Sequence, residues 1–127
     1  MGKRYLMDTN AVIEYLENKL PLGASAILDN TDIQISVISR MELLAWRKAT
    51  ETQLNVLNGF IDSPYVFGLT EPTILKTIEI RKNYAVKLPD AVIAATAITN
   101  GCALVTRNID DFKKIAQLTC IDPYKLK

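Results

Sequence analysis

Two periods of apolar and polar residues take turns along the chain, and their alternation outlines a fold. Tyr5-Leu6-Met7 is an unbroken apolar run leading into Asp8-Thr9-Asn10. A gapless run of this kind reads as a strand buried on both faces, as in a parallel sheet. Asn10 suits a helix N-cap, and Val12, Ile13 and Leu16 follow at helical spacing. Pro21 closes that segment, and residues 22–28 predict a second, short helix. Residues 33–37 alternate apolar and polar, the period of a strand with one face less buried. Ser39-Arg40-Met41-Glu42 has the Ser-x-x-Glu spacing of a capping box, with Leu43, Leu44 and Trp46 continuing as a helix. Thr50-x-x-Gln53 repeats that start signal, and Leu54, Leu57, Phe60 and Ile61 form the next apolar stripe. Ser63-Pro64 breaks it, and residues 65–69 predict a third strand.

In the second half, Thr70-Glu71-Pro72 opens a helix, with Pro where a missing N–H costs nothing and with Ile74, Leu75, Ile78 and Tyr84 on its inner side. Residues 88–98 follow with Pro89 in the first turn and so many alanines that the helix is apolar nearly all round, hence buried. Asn100-Gly101 ends it with residues tolerant of a left-handed conformation. Residues 102–106 predict a fourth strand, residues 107–112 a turn into a short helix, and residues 118–121 a last strand before Asp122-Pro123. Strands alternating with helices throughout argue an α/β domain, a central parallel sheet between two helical layers, with residues 1–127 as one unit.

Composition narrows the chemistry. With 127 residues, 49% of them hydrophobic and 23% charged, the chain is expected to fold around a core of its own. A formal charge of +1 leaves any attraction for a polyanion to a local patch. No apolar run approaches the roughly 20 residues that span a bilayer, and the first residues lack a signal-peptide core, so a cytoplasmic protein with no membrane partner is expected. Cys102 and Cys120 lie in apolar strand-like runs without a C-x-x-C, and read as buried thiols rather than a disulfide or zinc site. There is no histidine, which removes Ser-His and Cys-His nucleophiles and histidine-based metal sites. Catalysis must then use carboxylates, lysines, hydroxyls, thiols or a metal on oxygen ligands.

Acidic residues gather at strand ends. Asp8 follows the first strand, Glu42 sits one turn after the second, Asp90 opens the alanine-rich helix, and Asp110 and Asp111 follow the fourth strand. In a parallel sheet these ends share one edge, where open α/β folds place their sites. Carboxylates brought that close need a cation to stay ionised, and an all-oxygen donor set suits Mg²⁺ or Mn²⁺. Each member also has a plainer reading. Asp8 caps the first helix, Glu42 closes the capping box with Ser39, Asp90 complements a helix dipole, and Asp111 caps the short helix near Phe112.

Four stretches carry a resemblance. They are Leu6-Met7-Asp8-Thr9-Asn10, Ser39-Arg40-Met41-Glu42-Leu43, Pro89-Asp90-Ala91-Val92-Ile93-Ala94-Ala95, and Leu104-Val105-Thr106-Arg107-Asn108 with Asp111-Phe112. In this order and at these intervals the chain resembles, over nearly its whole length, the PIN-domain nucleases, and within them the VapC-like toxins of bacterial toxin–antitoxin pairs. The resemblance implies a three-layer PIN-like α/β/α domain and a Mg²⁺- (or Mn²⁺-) dependent ribonuclease. It further implies a homodimer, held inactive by a cognate antitoxin protein. By the same resemblance Asp8, Glu42 and Asp90 are the metal-site acids, and Thr9 and Asn10 support the first of them. The family's fourth acid falls at Asn108, which carries no charge. Asp110 or Asp111 is the substitute, and a one-metal site with water positioned by Asn108 and Asp111 is the expected form.

Arg40 and Arg107 flank these segments and are the candidates for phosphate contacts beside Thr9 and Asn10, with Arg47, Lys48, Lys113 and Lys114 more distant. Few aromatic residues are interleaved with them, so base stacking is not evident in the sequence. The apolar excess of Leu43, Trp46, Leu54, Leu57 and Phe60 predicts a contact with a second copy or a groove for an antitoxin helix. Two rival chemistries fail on the same residues. A haloacid-dehalogenase-type phosphatase needs an aspartate where Asn10 stands, and a receiver domain needs one at the end of the third strand, where Thr70-Glu71 follows. A non-catalytic PIN-like binding or regulatory protein is the remaining alternative, which the uncharged Asn108 keeps open.

Overall fold

A computed structural model of the chain describes residues 4–62 and 64–125. Five parallel strands form one sheet in the order β3-β2-β1-β4-β5: β1 (Arg4–Met7), β2 (Ile33–Ser36), β3 (Tyr65–Phe67), β4 (Cys102–Val105) and β5 (Cys120–Ile121). The helices are α1 (Thr9–Leu16), α2 (Leu22–Asp29), α3 (Val37–Leu44), α4 (Glu51–Phe60), α5 (Glu71–Asn83), α6 (Leu88–Thr99) and α7 (Ile109–Phe112), and a 3-10 turn spans Pro123–Lys125.

Alternation along the two central strands divides the core. Leu6 and Leu104 point to one face, where they pack with Ile80 of α5, Ala91, Ile93, Ala94, Ala95 and Ala97 of α6 and Phe112 of α7. Met7 and Val105, one residue on, point to the other, with Ile35, Ala11 and Val12 of α1, Ala24 and Leu28 of α2, Leu43 of α3 and Leu57 and Phe60 of α4. Residues 91–97 are all buried, as the alanine-rich pattern predicts, and the small side chains let α6 lie close against the sheet. Gly101 takes φ +66 at the turn into β4, a conformation that costs a side-chain-bearing residue strain.

Several local readings change. Asn10 is not the cap of α1. Asp8 is, accepting from the Thr9 amide at 2.7 Å, and Asn10 lies inside the helix. Asp8 is the single residue between the end of β1 and the start of α1, so the cap falls there and Asn10 is already in the first turn. Ser39 and Glu42 form no capping box: Ser36 ends β2 and caps α3 through the Ile38 amide, so Ser39 is buried in the first turn of the helix. Trp46 lies beyond the end of α3. The Thr50–Gln53 capping box forms as expected. On α5 the buried positions are Thr73, Thr77 and Ile80, while Leu75 and Ile78 face outward and Tyr84 caps the end. Thr73 fits inside because its hydroxyl pairs with that of Thr99 on α6 at 3.0 Å. β3 and β5 are shorter than expected, and Ser63 of the predicted break lies outside the described residues. Cys102 is buried, Cys120 half-buried, and both are free thiols.

The strand order puts the reversal of winding between β1 and β4. Their carboxyl ends are locked side by side, the Asp8 amide donating to the Val105 carbonyl at 3.0 Å. A crevice at such a switch point is where this architecture leaves room for a ligand.

Candidate active site at the carboxyl edge of the sheet

Asp8 is held from two sides. Its Oδ1 accepts from the Thr9 amide, and its Oδ2 accepts from the hydroxyl of Thr106 at 2.9 Å. Thr106 is fully buried just past β4, and its oxygen also accepts from the Asn108 amide at 3.0 Å. One hydroxyl therefore ties the acid after β1 to the loop after β4. Asn108 in turn donates through Nδ2 to Asp111 at 2.9 Å.

Glu42 arrives from α3. The Thr9 hydroxyl donates to Glu42 Oε1 at 2.6 Å and lies 3.0 Å from the Ser39 hydroxyl. Thr9 thus touches two acids, Asp8 with its amide and Glu42 with its side chain. Because Ser36 caps α3, Ser39 in its first turn is left to make this contact in place of a cap. Asp90 enters from the first turn of α6.

The acids sense one another. Burial raises the Asp8 carboxyl above its ordinary value; the bonds from Thr106 and the Thr9 amide lower it, and the charges of Asp90 and Glu42 raise it again. Asp90 is raised by burial first, then by Glu42 and Asp111, against a lowering pull from Lys87. Among the described residues no three acidic or cysteine side chains stand close enough to grip an ion as they lie. The donor set nevertheless fits a hard divalent cation. It is all oxygen and several-fold negative, and two of its members already suffer in the ionised form.

Two adjoining clefts share Asn108. One, of about 480 Å³, is lined by Asp8, Asn10, Glu14, Lys19, Arg107 and Asn108 among others. The second, of about 370 Å³, is lined by Ala85, Val86, Lys87, Asp90, Asn108 and Asp111. Arg107 pairs with Glu14 at 3.2 Å and stacks on Tyr124. Arg40 is exposed on α3 and lines neither cleft. The fold so brings Asp8, Glu42, Asp90 and Asp111 within electrostatic reach, with Thr9, Asn10, Arg107 and Asn108 around them, and leaves Arg40 aside. It also adds residues that the sequence reading passed over. Thr106 had a signal, a hydroxyl at the end of an otherwise apolar strand. Lys87, next to the Pro89-Asp90 turn, had a weak one. Glu14 and Tyr124 had none, because only tertiary contact relates them to Arg107.

Comparison with known proteins agrees with this layout. A family model for the PIN domain matches residues 5–118. The chain is 31% identical over 121 residues to the tRNA(fMet)-specific endonuclease VapC of Salmonella typhimurium, covering 88% of this chain and 92% of that protein. It superposes on the DNA-bound VapBC structure from Salmonella typhimurium with a TM-score of 0.81 at 29% identity, covering 95% of this chain and 98% of the other. A toxin–antitoxin complex from Klebsiella pneumoniae gives 0.75 at 28% identity, with 94% and 98% covered. With the match running from β1 into the segment before β5, the chain belongs to the PIN-domain family, on its VapC branch.

Proposed function

We propose that the protein is a metal-dependent endoribonuclease and the toxin of a toxin–antitoxin pair. The observation that carries this reading is that Asp8, Glu42 and Asp90, from three separate parts of the fold, lie within electrostatic reach, with Asp90 and Glu42 opposing the ionisation of Asp8 and Glu42 opposing that of Asp90. Asp8, Glu42 and Asp90 would hold one Mg²⁺ or Mn²⁺. When bound, such an ion lowers the pKa of a water and offsets charge on phosphoryl oxygens. Asp8 needs little adjustment, since Thr9 and Thr106 already orient both its oxygens. Glu42 gives up or shares its bond from Thr9 to take part. Asn108 and Asp111, already bonded to each other, position water on the far side of the phosphate, and Thr9, Asn10 and Arg107 face the RNA. No protein nucleophile is required, in keeping with the absence of histidine.

The test is hydrolysis of single-stranded and structured RNA by the purified chain in Mg²⁺ or Mn²⁺, with EDTA as control. Cleavage that disappears with EDTA and returns with excess metal is expected. Cleavage indifferent to EDTA belongs to a contaminant. Proven metal binding with no cleavage across a broad RNA panel would favour the non-catalytic alternative.

The apolar excess divides into two parts. Leu43, Leu57 and Phe60 are core, whereas Leu54 is 41% exposed and Trp46 half-buried. A cleft of about 280 Å³ between α1, α3 and α4, lined by Ile13, Leu16, Trp46 and Val56 among others, suits a helix of a cognate antitoxin. The Klebsiella pneumoniae structure is of a toxin–antitoxin complex, which supports a partner of this kind. A second, almost wholly apolar cleft lies between α3, α5 and α6, ringed by Leu69, Ile78 and Leu88, which are 52%, 48% and 56% exposed. We assign it to a homodimer contact. Sedimentation should show a dimer, and Ile78→Asp, placing a charge on an already exposed position, should give folded monomers. A wild-type chain that sediments as a monomer at micromolar concentration would remove the assignment.

A further inference from the structure

The fold holds the Arg107 guanidinium over an aromatic ring as well as beside a carboxylate. Its guanidinium carbon lies 4.2 Å from the centroid of the Tyr124 ring, and Nη1 lies 3.2 Å from Glu14 Oε2. Tyr124, in the 3-10 turn more than a hundred residues from α1, packs against the core cluster beneath. One face of the guanidinium therefore rests on an aromatic ring anchored in the core, and part of its N–H edge is taken by a carboxylate. The Arg107 side chain is still 58% exposed and lines the cleft that holds Asp8 and Asn108. Glu14 occupies one donor of the guanidinium and offsets part of its charge, which weakens a phosphate contact. The guanidinium keeps a second face, on which a planar π-system stacks by dispersion and cation–π attraction.

The geometry points to a nucleobase-binding subsite on the Tyr124-backed plane of Arg107, taking the base of the nucleotide next to the phosphate at the acidic centre. The inference rests on the ribonuclease reading and goes past it: Arg107 contacts a base rather than the RNA backbone, and Tyr124 is its positioning residue. Aromatic support for stacking, absent from the local sequence around the site, comes from the other end of the fold.

The charge-conserving substitution separates the two roles. Lysine replaces a phosphate contact tolerably but offers no plane to a base. The probe is a short single-stranded RNA and a stem-loop, each carrying 2-aminopurine at one position in turn, bound in Mg²⁺ to the Asp90→Asn protein so that nothing is cut. Anisotropy reports overall binding, and 2-aminopurine emission reports stacking. Binding should quench the probe at one position, and Arg107→Lys should abolish that quenching and weaken binding roughly five- to hundredfold, as much as Arg107→Ala does. Tyr124→Leu should act in the same direction. RNA with an abasic residue at that position should bind the parent and Arg107→Lys proteins alike. RNA that binds with no position-specific quenching, or an Arg107→Lys protein with parental affinity, overturns the subsite and leaves the ribonuclease reading standing. RNA that does not bind at all overturns both. Because Arg107→Lys acts at a largely exposed side chain, it keeps the test decisive if Tyr124→Leu fails to fold.

Discussion

Replacing Asp90 with Asn is expected to make the protein more stable and almost inactive in one step. Asp90 is half-buried at the first turn of α6, and its pKa is raised by burial, then by Glu42 and Asp111, against the attraction of Lys87. A carboxyl whose folded pKa lies above its unfolded value holds its proton more tightly in the native state. Stability therefore falls as pH rises from the unfolded through the folded pKa, and the cost of ionisation is fully present at neutral pH. Asparagine keeps the shape without the charge. In metal-free buffer at pH 7, Asp90→Asn should raise Tm by about 2 °C, what roughly half a kcal/mol does to a domain of this size. That gain should fade as pH drops below the ordinary aspartate range, where the parent is protonated too. The favourable dipole interaction lost with the charge, about 0.3–1 kcal/mol near a helix N-terminus, works the other way. The raised pKa indicates that burial and repulsion outweigh the neighbouring cation. With metal present the order should reverse. Mg²⁺ or Mn²⁺ should stabilise the parent but not the variant, and RNA cleavage should fall by at least about a hundredfold, the upper end of what loss of a mere supporting group at a metal site costs. A variant that cleaves like the parent, or whose Tm still climbs with added metal, would remove Asp90 from the site.

How much of this could be read beforehand depended on range. The helices and strands were legible because each announces itself within a few residues: the unbroken Tyr5–Met7 run, the alternation before Ser36, the alanines of α6, Gly101 after Asn100. Asp8, Glu42 and Asp111 stand out as candidates because a parallel sheet sends every strand's carboxyl end to one edge, whereas Asp90 follows no strand and stands out only at the mouth of the alanine-rich helix. The capping details were misread where two explanations competed for the same residues. A Ser-x-x-Glu spacing fits a capping box, yet β2 runs straight into α3 and Ser36 reaches the helix N-terminus first. Ser39 and Glu42 then lie on the side of α3 that meets Thr9. The inner face of α5 was misread for a related reason. Hydropathy assigns Leu75 and Ile78 inward, but paired hydroxyls bring Thr73 and Thr99 together across α5 and α6. Contacts with no local trace, Arg107 with Glu14 and Tyr124 above all, became visible only in three dimensions.

Thr106 is the residue whose loss should spread furthest through the site, and Thr106→Val, which keeps its shape, isolates the hydroxyl. In the native protein that oxygen donates to Asp8 Oδ2 and accepts from the Asn108 amide, and it is fully buried. Valine leaves a carboxylate oxygen and a backbone N–H unpaired in a half-buried setting, which should cost about 1–3 kcal/mol of stability. Two kinetic effects follow from the two lost bonds. Without the Asn108 anchor, the Asn108–Asp111 pair is free to shift, and the cleavage rate should drop across the whole pH range. Without the Thr106 donor, Asp8 loses the strongest influence that holds its pKa down, while burial, Asp90 and Glu42 continue to push it up. Protonated Asp8 cannot hold a cation, so the acidic limb of the pH–activity profile should move toward neutral pH. Thr106→Ser, which restores the hydroxyl, should return that limb to its parental place even if some packing is lost. A Thr106→Val protein whose activity falls by the same factor at every pH would show that Thr106 acts on the loop alone and leaves the ionisation of Asp8 to other groups.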